Sequence, residues 1–212
     1  MSYQVLSRKW RPQIFEDVVG QIHITKTLQN AIKKDRVAHG FLFSGLRGVG
    51  KTTTARIFSK ALNCLNLDNN NPCNSCKNCD DITNGRSMDV LEIDGASNRG
   101  IDEIRELREA VKYPPSNGKY RIYIIDEVHM LTTHAFNALL KTLEEPPPHV
   151  KFILATTDPQ KLPQTILSRT IRFEFKRVQL PVLKEYIQKI LDEEKVKHDD
   201  ASLIQIAKKG DG

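Results

Sequence analysis

Residues 40–52 read GFLFSGLRGVGKT. Gly40 to Ser44 is a short apolar run of the kind carried by a strand buried on both faces. Gly45-Leu46-Arg47-Gly48-Val49-Gly50-Lys51-Thr52 then fits G-x-x-x-x-G-K-[ST] in full, and a helix is expected from about Lys51 to Asn63. In the order strand, glycine-rich loop, helix, this pattern cradles phosphate. The glycines let successive backbone N–H groups curl around an anion, and the helix N-terminus adds positive potential. Lys51 is expected to reach the β- and γ-phosphates of a nucleotide, and the Thr52 hydroxyl to ligate Mg²⁺. A chance match, and a loop that holds nucleotide without turning it over, are the competing readings.

Outward from this loop the chain alternates between strand and helix patterns. Upstream, Ile24, Leu28, Ala31 and Ile32 recur at helical spacing after Gln21. Downstream, strands are expected at Met88 to Ile93, Tyr120 to Ile125, Lys151 to Thr156 and Ile171 to Phe175, which with Gly40 to Ser44 makes five. Ile101, Ile104, Leu107 and Val111 put one apolar stripe on a helix. Ala135 to Leu143 reads as another, stopped by Pro146, Pro147 and Pro148. Such alternation predicts an α/β domain with a mostly parallel sheet over residues 1–178. From Leu180 the pattern is helix only, with Leu183, Ile187, Ile190 and Leu191 on one face and a second helix near Ser202 to Lys209, so residues 179–212 are expected to begin a helical domain. The Asn-rich stretch Asn66 to Asn71 reads as a loop, and no internal repeat is found.

The 212 residues suffice for one substantial core plus a small appendage. A hydrophobic share of 39% beside 27% charged residues is that of a soluble globular chain and excludes a disordered or membrane-embedded class. No apolar run approaches the roughly 18 residues that span a bilayer. The N-terminus MSYQVLSRKW lacks the apolar stretch of a secretory signal, so a cytoplasmic, reducing location is expected. A net charge of +6 suits contact with nucleic acid and equally suits a solvated Lys-rich surface.

Ile122 to Glu127 (IYIIDE) places two carboxylates at the end of a buried strand. Beside a phosphate loop, Asp126 would hold magnesium through water, and Glu127 would polarise the attacking water as a general base. Plain surface charge is the bland alternative. Cys64, Cys73, Cys76 and Cys79 are all the cysteines of the chain, spaced C-x8-C-x2-C-x2-C. Four thiolates suit tetrahedral Zn²⁺ and close every coordination position, which makes such a metal structural. Iron–sulfur ligation and disulfides compete, although a reducing compartment disfavours the latter. His23, His39, His129, His134, His149 and His198 lie outside this spacing and read as structural or surface residues, and Trp10, the single tryptophan, as packing.

Longer segments carry a resemblance: SYQVLSRKWRP, FSGLRGVGKTTTAR, the cysteine segment, LEIDGASNRG, IDEVHMLTTHAFNALLKTLEEPP and LATTDPQKLPQTILSR, in that order. Together they resemble the clamp-loader ATPases of bacterial DNA polymerase III, the tau/gamma family, over essentially the whole chain. The resemblance implies an AAA+ fold, a five-stranded RecA-like domain followed by a helical lid. It also implies ATP/ADP and Mg²⁺ as ligands, zinc at the four cysteines, and a hetero-pentameric ring that opens the sliding clamp and places it on primed DNA. Neither a membrane partner nor a polymerase active site is implied.

By the same resemblance Thr157 matches the first sensor, between γ-phosphate and water. Arg169 matches the arginine finger offered to a neighbouring subunit's nucleotide, and Arg11, Pro12, Val18 and Val19 lie where adenine packs, with Val18 and Val19 suiting the core equally. Ser168-Arg169-Thr170 departs from the family's Ser-Arg-Cys but keeps the arginine. The family's lid continues to a further arginine-bearing helix and a collar, so the 212 residues are expected to be a fragment. Asn98, Arg99, Lys161 and Thr165, at expected helix starts, are candidates for DNA phosphates, with solvated caps as the alternative. Two other identities share features: a non-hydrolysing structural sibling in the loader, and a branch-migration helicase, which has the loop and acidic pair without the cysteines.

Overall fold

The computed structural model describes residues 5–97 and 101–210. Its centre is a five-stranded sheet of β1 (Gly40–Ser44), β2 (Val90–Asp94), β3 (Arg121–Asp126), β4 (Val150–Thr156) and β5 (Ile171–Glu174), in the order β2-β3-β4-β1-β5. Every pairing is parallel. Parallel neighbours need long crossovers, and α3 (Lys51–Asn63), α5 (Ile101–Ala110) and α6 (Thr133–Glu144) lie in them, while α2 (Ile22–Lys33) precedes β1. Shorter pieces, α1 (Leu6–Lys9), α4 (Lys77–Thr83) and α7 (Gln164–Leu167), lie in the connections, and α8 (Leu180–Glu193) and α9 (Asp200–Lys209) follow the sheet.

Side chains alternate across the strands and so divide the core into two layers. Leu42, Tyr123, Ile125, Phe152 and Leu154 pack with Ile104, Leu107, Phe136 and Leu139 of α5 and α6. Phe41, Phe43, Ile122, Ile124 and Ile153 face the other way, onto Ile24, Leu28, Ile57 and Phe58 of α2 and α3. Burial on both faces explains why β1, β3 and β4 read as continuous apolar runs. Among the described residues no helix is long and apolar enough to cross a membrane.

The expected helix over 51–63 has those bounds, and the remaining differences have local causes. Met88 stands outside β2 and is exposed, because Asp89 turns inward and accepts backbone N–H bonds from Ser116, Asn117 and Gly118 at 2.6, 2.7 and 2.7 Å. Tyr120 stands outside β3, its N–H and C=O taken by the Asn63 amide at 2.9 and 2.8 Å. Phe175 follows the end of β5 but still donates its N–H to Ser44 O. Helix α6 begins at Thr133, two residues before the expected start, since the Thr132 side chain accepts from Ala135 N. Asn98 and Arg99 lie outside the described residues.

Helices α8 and α9 pack on each other, and α8 is tied to the N-terminal segment. Glu194, at the C-cap of α8, accepts from Trp10 Nε1 at 2.7 Å and Lys9 Nζ at 2.6 Å, while the Tyr186 hydroxyl donates to Trp10 O at 3.1 Å.

Candidate active site

The loop after β1 requires its glycines. Gly45 has φ +147°, and a Cβ there would lie 2.5 Å from Phe175 O; Gly50, at φ +98°, caps α3 in the left-handed region. Lys51 is only 6% exposed, and its Nζ donates to the carbonyls of Gly45 at 2.9 Å and Leu46 at 2.8 Å. Burial pushes its ammonium below the usual lysine range, against the pull of Glu127 and Asp126. The loop therefore holds a desolvated cation against its own backbone, facing two carboxylates.

Those carboxylates leave the sheet at the same end as the loop, because the strands are parallel and β4 bridges β1 and β3. Thr52 Oγ1 donates to Asp126 Oδ2 at 2.6 Å, joining the first turn of α3 to the tip of β3. Asp126 Oδ1 accepts from Glu127 N at 2.9 Å. Glu127 sits in the left-handed region at φ 45°, ψ 45°, a conformation that costs a non-glycine residue on the order of 1–2 kcal/mol. Its carboxylate thereby turns toward Thr157, whose hydroxyl and N–H reach Glu127 Oε2 at 2.9 and 3.3 Å.

His129 belongs to this cluster as well. Its Nδ1 is 3.0 Å from Thr156 Oγ1 and 3.5 Å from Glu127 Oε2, and Thr156 is fully buried. The sequence reading gave His129 a structural or surface place. The only signal for it was its position two residues after the acidic pair.

Arg11, Pro12, Val18 and Val19 line one cavity of about 440 Å³ with Gly48, Val49 and Gly50, closed on the far side by Leu183, Tyr186 and Ile190 of α8. That volume is within the range of small-molecule sites. Trp10 also lines it, so the tryptophan both packs and, through Glu194, fastens α8 to this wall.

At the C-terminal end of α3, where Cys64 is the C-cap, the four cysteine sulfurs lie within 4.8 Å of one another, and the cysteines are free. Cys79 is buried and the others half-buried. Two backbone groups already point at sulfur, Cys73 N to Cys64 Sγ and Cys76 N to Cys73 Sγ, both at 3.3 Å. Hydrogen bonds from Ser75 bring the Cys73 thiol down to about 6, while burial pushes the Cys79 thiol up. Four sulfurs about 2.3 Å from a common zinc would stand roughly 3.8 Å apart, so the donor set fits a tetrahedral thiolate site with small adjustments.

Residues 20–179 match the family described as DNA polymerase III, delta subunit. The chain belongs to this family of DNA polymerase III subunits. Its relatives there are tau and gamma subunits. Across all of its length it is 57% identical to DNA polymerase III subunit tau of Bacillus subtilis, 51% to that of Escherichia coli and 52% to subunit tau/gamma of Haemophilus influenzae. It spans 38%, 33% and 31% of those proteins' lengths. Among solved structures it is similar to the Thermotoga maritima RuvB Holliday junction branch migration motor, with TM-score 0.67 and 21% identity over 94% of this chain and 59% of that one. A DNA polymerase III gamma subunit-related protein of Thermotoga maritima gives TM-score 0.51 and 24% identity over 86% of this chain and 57% of that one. At such identities the likeness is one of fold.

Arg169, from the family resemblance, and Lys161 and Thr165, from expected helix starts, lie apart from the cluster. Arg169 pairs with Glu144 at 2.8 Å and donates to Thr165 O at 2.9 Å. Its carbonyl stands at the start of β1, beside Gly40. The four residue steps of β1 carry the loop roughly 13 Å away at the other end, so Arg169 cannot serve the loop of its own chain. Lys161 is exposed and paired with Asp158 at 3.0 Å, and Thr165 lies in the four-residue α7.

Proposed function

We propose that this chain binds ATP and hydrolyses it, as the motor portion of a clamp-loader subunit that places the sliding clamp on primed DNA. The observation that carries this reading is the meeting of Lys51, the Thr52–Asp126 bond and the Glu127–Thr157 pair at one end of the sheet. Loop amides and Lys51 bind the triphosphate, and the Lys51 ammonium exchanges its two carbonyl partners for phosphate oxygens. Thr52 and Asp126 would hold magnesium, which would supply neutralisation of phosphate charge. Glu127 orients the attacking water and takes its proton, and Thr157 steers Glu127 before the γ-phosphate arrives. Arg11, Pro12, Val18 and Val19 pack the adenine.

Arg169 acts in trans, on the nucleotide of a neighbouring subunit in a hetero-pentameric ring, where a guanidinium meets charge that develops in the transition state. The free chain is therefore a poor ATPase. Residues 1–178 form the nucleotide-binding domain, and α8 and α9 begin a lid over the cavity. The module at about 64–80 holds structural zinc, and DNA is met without base reading in the cytoplasm. The intact Gly50-Lys51-Thr52 and Glu127 disfavour the non-hydrolysing sibling, and the cysteine cluster disfavours a branch-migration helicase.

Calorimetric titration of ATP and ADP into the protein and its Lys51→Ala variant tests the reading. Micromolar binding by the wild type and at least tenfold weaker binding by Lys51→Ala are expected. Absence of adenine nucleotide binding at saturation would remove the motor assignment.

A further inference from the structure

Lys60 lies on α3, nine residues beyond Lys51, and is 2% exposed. An ammonium so removed from water needs hydrogen bonds and a counter-charge. Its Nζ donates to two neutral oxygens, Gln13 Oε1 at 2.7 Å and Asn74 Oδ1 at 2.6 Å. Burial lowers its pKa, with Cys79, Cys64 and Cys73 acting electrostatically against that shift. Asn74 belongs to the turn between Cys73 and Cys76 and sits in the left-handed region at φ 56°, so the partner of Lys60 on this side is placed by the geometry of the cysteine segment, which a bound metal would fix.

The other side of Lys60 leads to the nucleotide cavity. Gln13, held by Lys60 through its carbonyl oxygen, donates its Nε2 to Arg11 O at 2.9 Å. Arg11 and the adjoining Pro12 are walls of the 440 Å³ cavity. Hydrogen bonds thus run without a break from the cavity wall through Gln13 and Lys60 to Asn74, which lies between Cys73 and Cys76.

We propose that Lys60 is a positioning residue that couples metal occupancy of the cysteine module to nucleotide affinity, by holding Gln13 and through it the Arg11–Pro12 wall. The inference rests on the reading of the cavity as a nucleotide site and of the cluster as a divalent-metal site. Its path is one of hydrogen bonds: bound metal would fix the Cys73–Cys76 turn, Asn74 on that turn fixes the ammonium, and the ammonium fixes the amide that sets the wall. A merely structural lysine would lower melting temperature without making ADP affinity depend on zinc.

The experiment measures ADP affinity by calorimetry and zinc content by elemental analysis. Full-length wild type, Lys60→Met and Gln13→Ala are compared as purified, after stripping with a zinc-selective chelator, and after zinc is returned. Wild type is expected to lose about tenfold in ADP affinity on stripping and to recover it with zinc, within the usual span of couplings between sites. Gln13→Ala is expected to keep its zinc and melting temperature, bind ADP as weakly as stripped wild type, and lose nothing further on stripping. Lys60→Met should behave likewise where it folds, and Gln13→Ala decides the matter where it does not. Wild-type ADP affinity in stripped protein and in folded Gln13→Ala overturns the proposal, as does purified protein that contains no divalent metal. Lys51→Ala, run in parallel, separates this failure from failure of the nucleotide reading, since only the latter leaves ADP binding indifferent to Lys51.

Discussion

Thr157 grips Glu127 with two donors, its hydroxyl at 2.9 Å and its backbone N–H at 3.3 Å, both on Oε2. Both bonds fall on one oxygen, which leaves Oε1 of the same carboxylate to meet a water molecule. In the proposed reading Thr157 therefore orients the base without consuming it.

Glu127→Gln and Thr157→Val separate the two roles. Glu127→Gln should bind ATP as tightly as wild type while hydrolysis in the assembled complex falls about 100-fold or more, the usual contribution of a positioned base. Thr157→Val loosens Glu127 and loses the contact to phosphate, so hydrolysis should fall by a smaller factor. Single-turnover rates with bound ATP measure both. Wild-type turnover by Glu127→Gln would strip Glu127 of its role.

Arg169 is predicted to matter only to a neighbour. Its pair with Glu144 is partly exposed, at 33% and 48% of the two side chains, and such pairs contribute about 1 kcal/mol or less. It can therefore be surrendered to a better partner at little cost. Arg169→Ala should leave nucleotide affinity and melting of the chain near wild type, yet slow hydrolysis by the assembled ring by about 10³-fold. Equal rates for wild-type and variant rings would exclude the trans role.

The sequence made legible what is written locally. The loop, the 51–63 helix and the five strands depend on glycine spacing and apolar periodicity within short windows, and these were read with ends displaced by one or two residues. Met88 and Tyr120 were misplaced into strands because their residue types suit strands. The groups that displace the backbone there, the Asp89 carboxylate and the Asn63 amide, act across distances of 27 to 57 residues. Lys60 reads as any lysine on a helix, and the groups that hold it in its buried place, Gln13 and Asn74, come from segments 47 residues before it and 14 after it. Helix α4 was missed because seven residues hold too little periodic pattern to register.

Asp89 is predicted to be a pH-sensitive clasp. Burial works against its charge, but the N–H groups of Ser116, Asn117 and Gly118, with Arg121 nearby, outweigh it and hold the carboxyl below its ordinary 3.8. A depressed folded-state pKa stabilises the fold at all pH above the unfolded value, and this stabilisation is lost as pH falls through the folded value. Asp89→Asn, with a single neutral acceptor for three donors, should cost roughly 2 kcal/mol at pH 7. The gap between wild type and variant should close below about pH 4. Urea midpoints from pH 7 down to 2.5 give the comparison, and a gap constant over that range would show that the charge of Asp89 contributes nothing.

Trp10 is the only tryptophan, so its fluorescence reports the junction between the N-terminal segment and α8. Its indole N–H is bonded to Glu194, which Lys9 also holds, and the hydrogen bonds from these two draw the Glu194 carboxyl below its usual range. The same indole lines the cavity. Glu194→Ala should release the indole, shift emission to the red before any nucleotide is added, and weaken ADP binding by roughly twofold to fivefold, the scale of exposed polar and ionic contacts. ADP should move wild-type emission toward the blue as α8 closes on an occupied cavity. Identical spectra for wild type and Glu194→Ala, with and without ADP, would mean that the Trp10–Glu194 bond neither holds α8 nor senses the site.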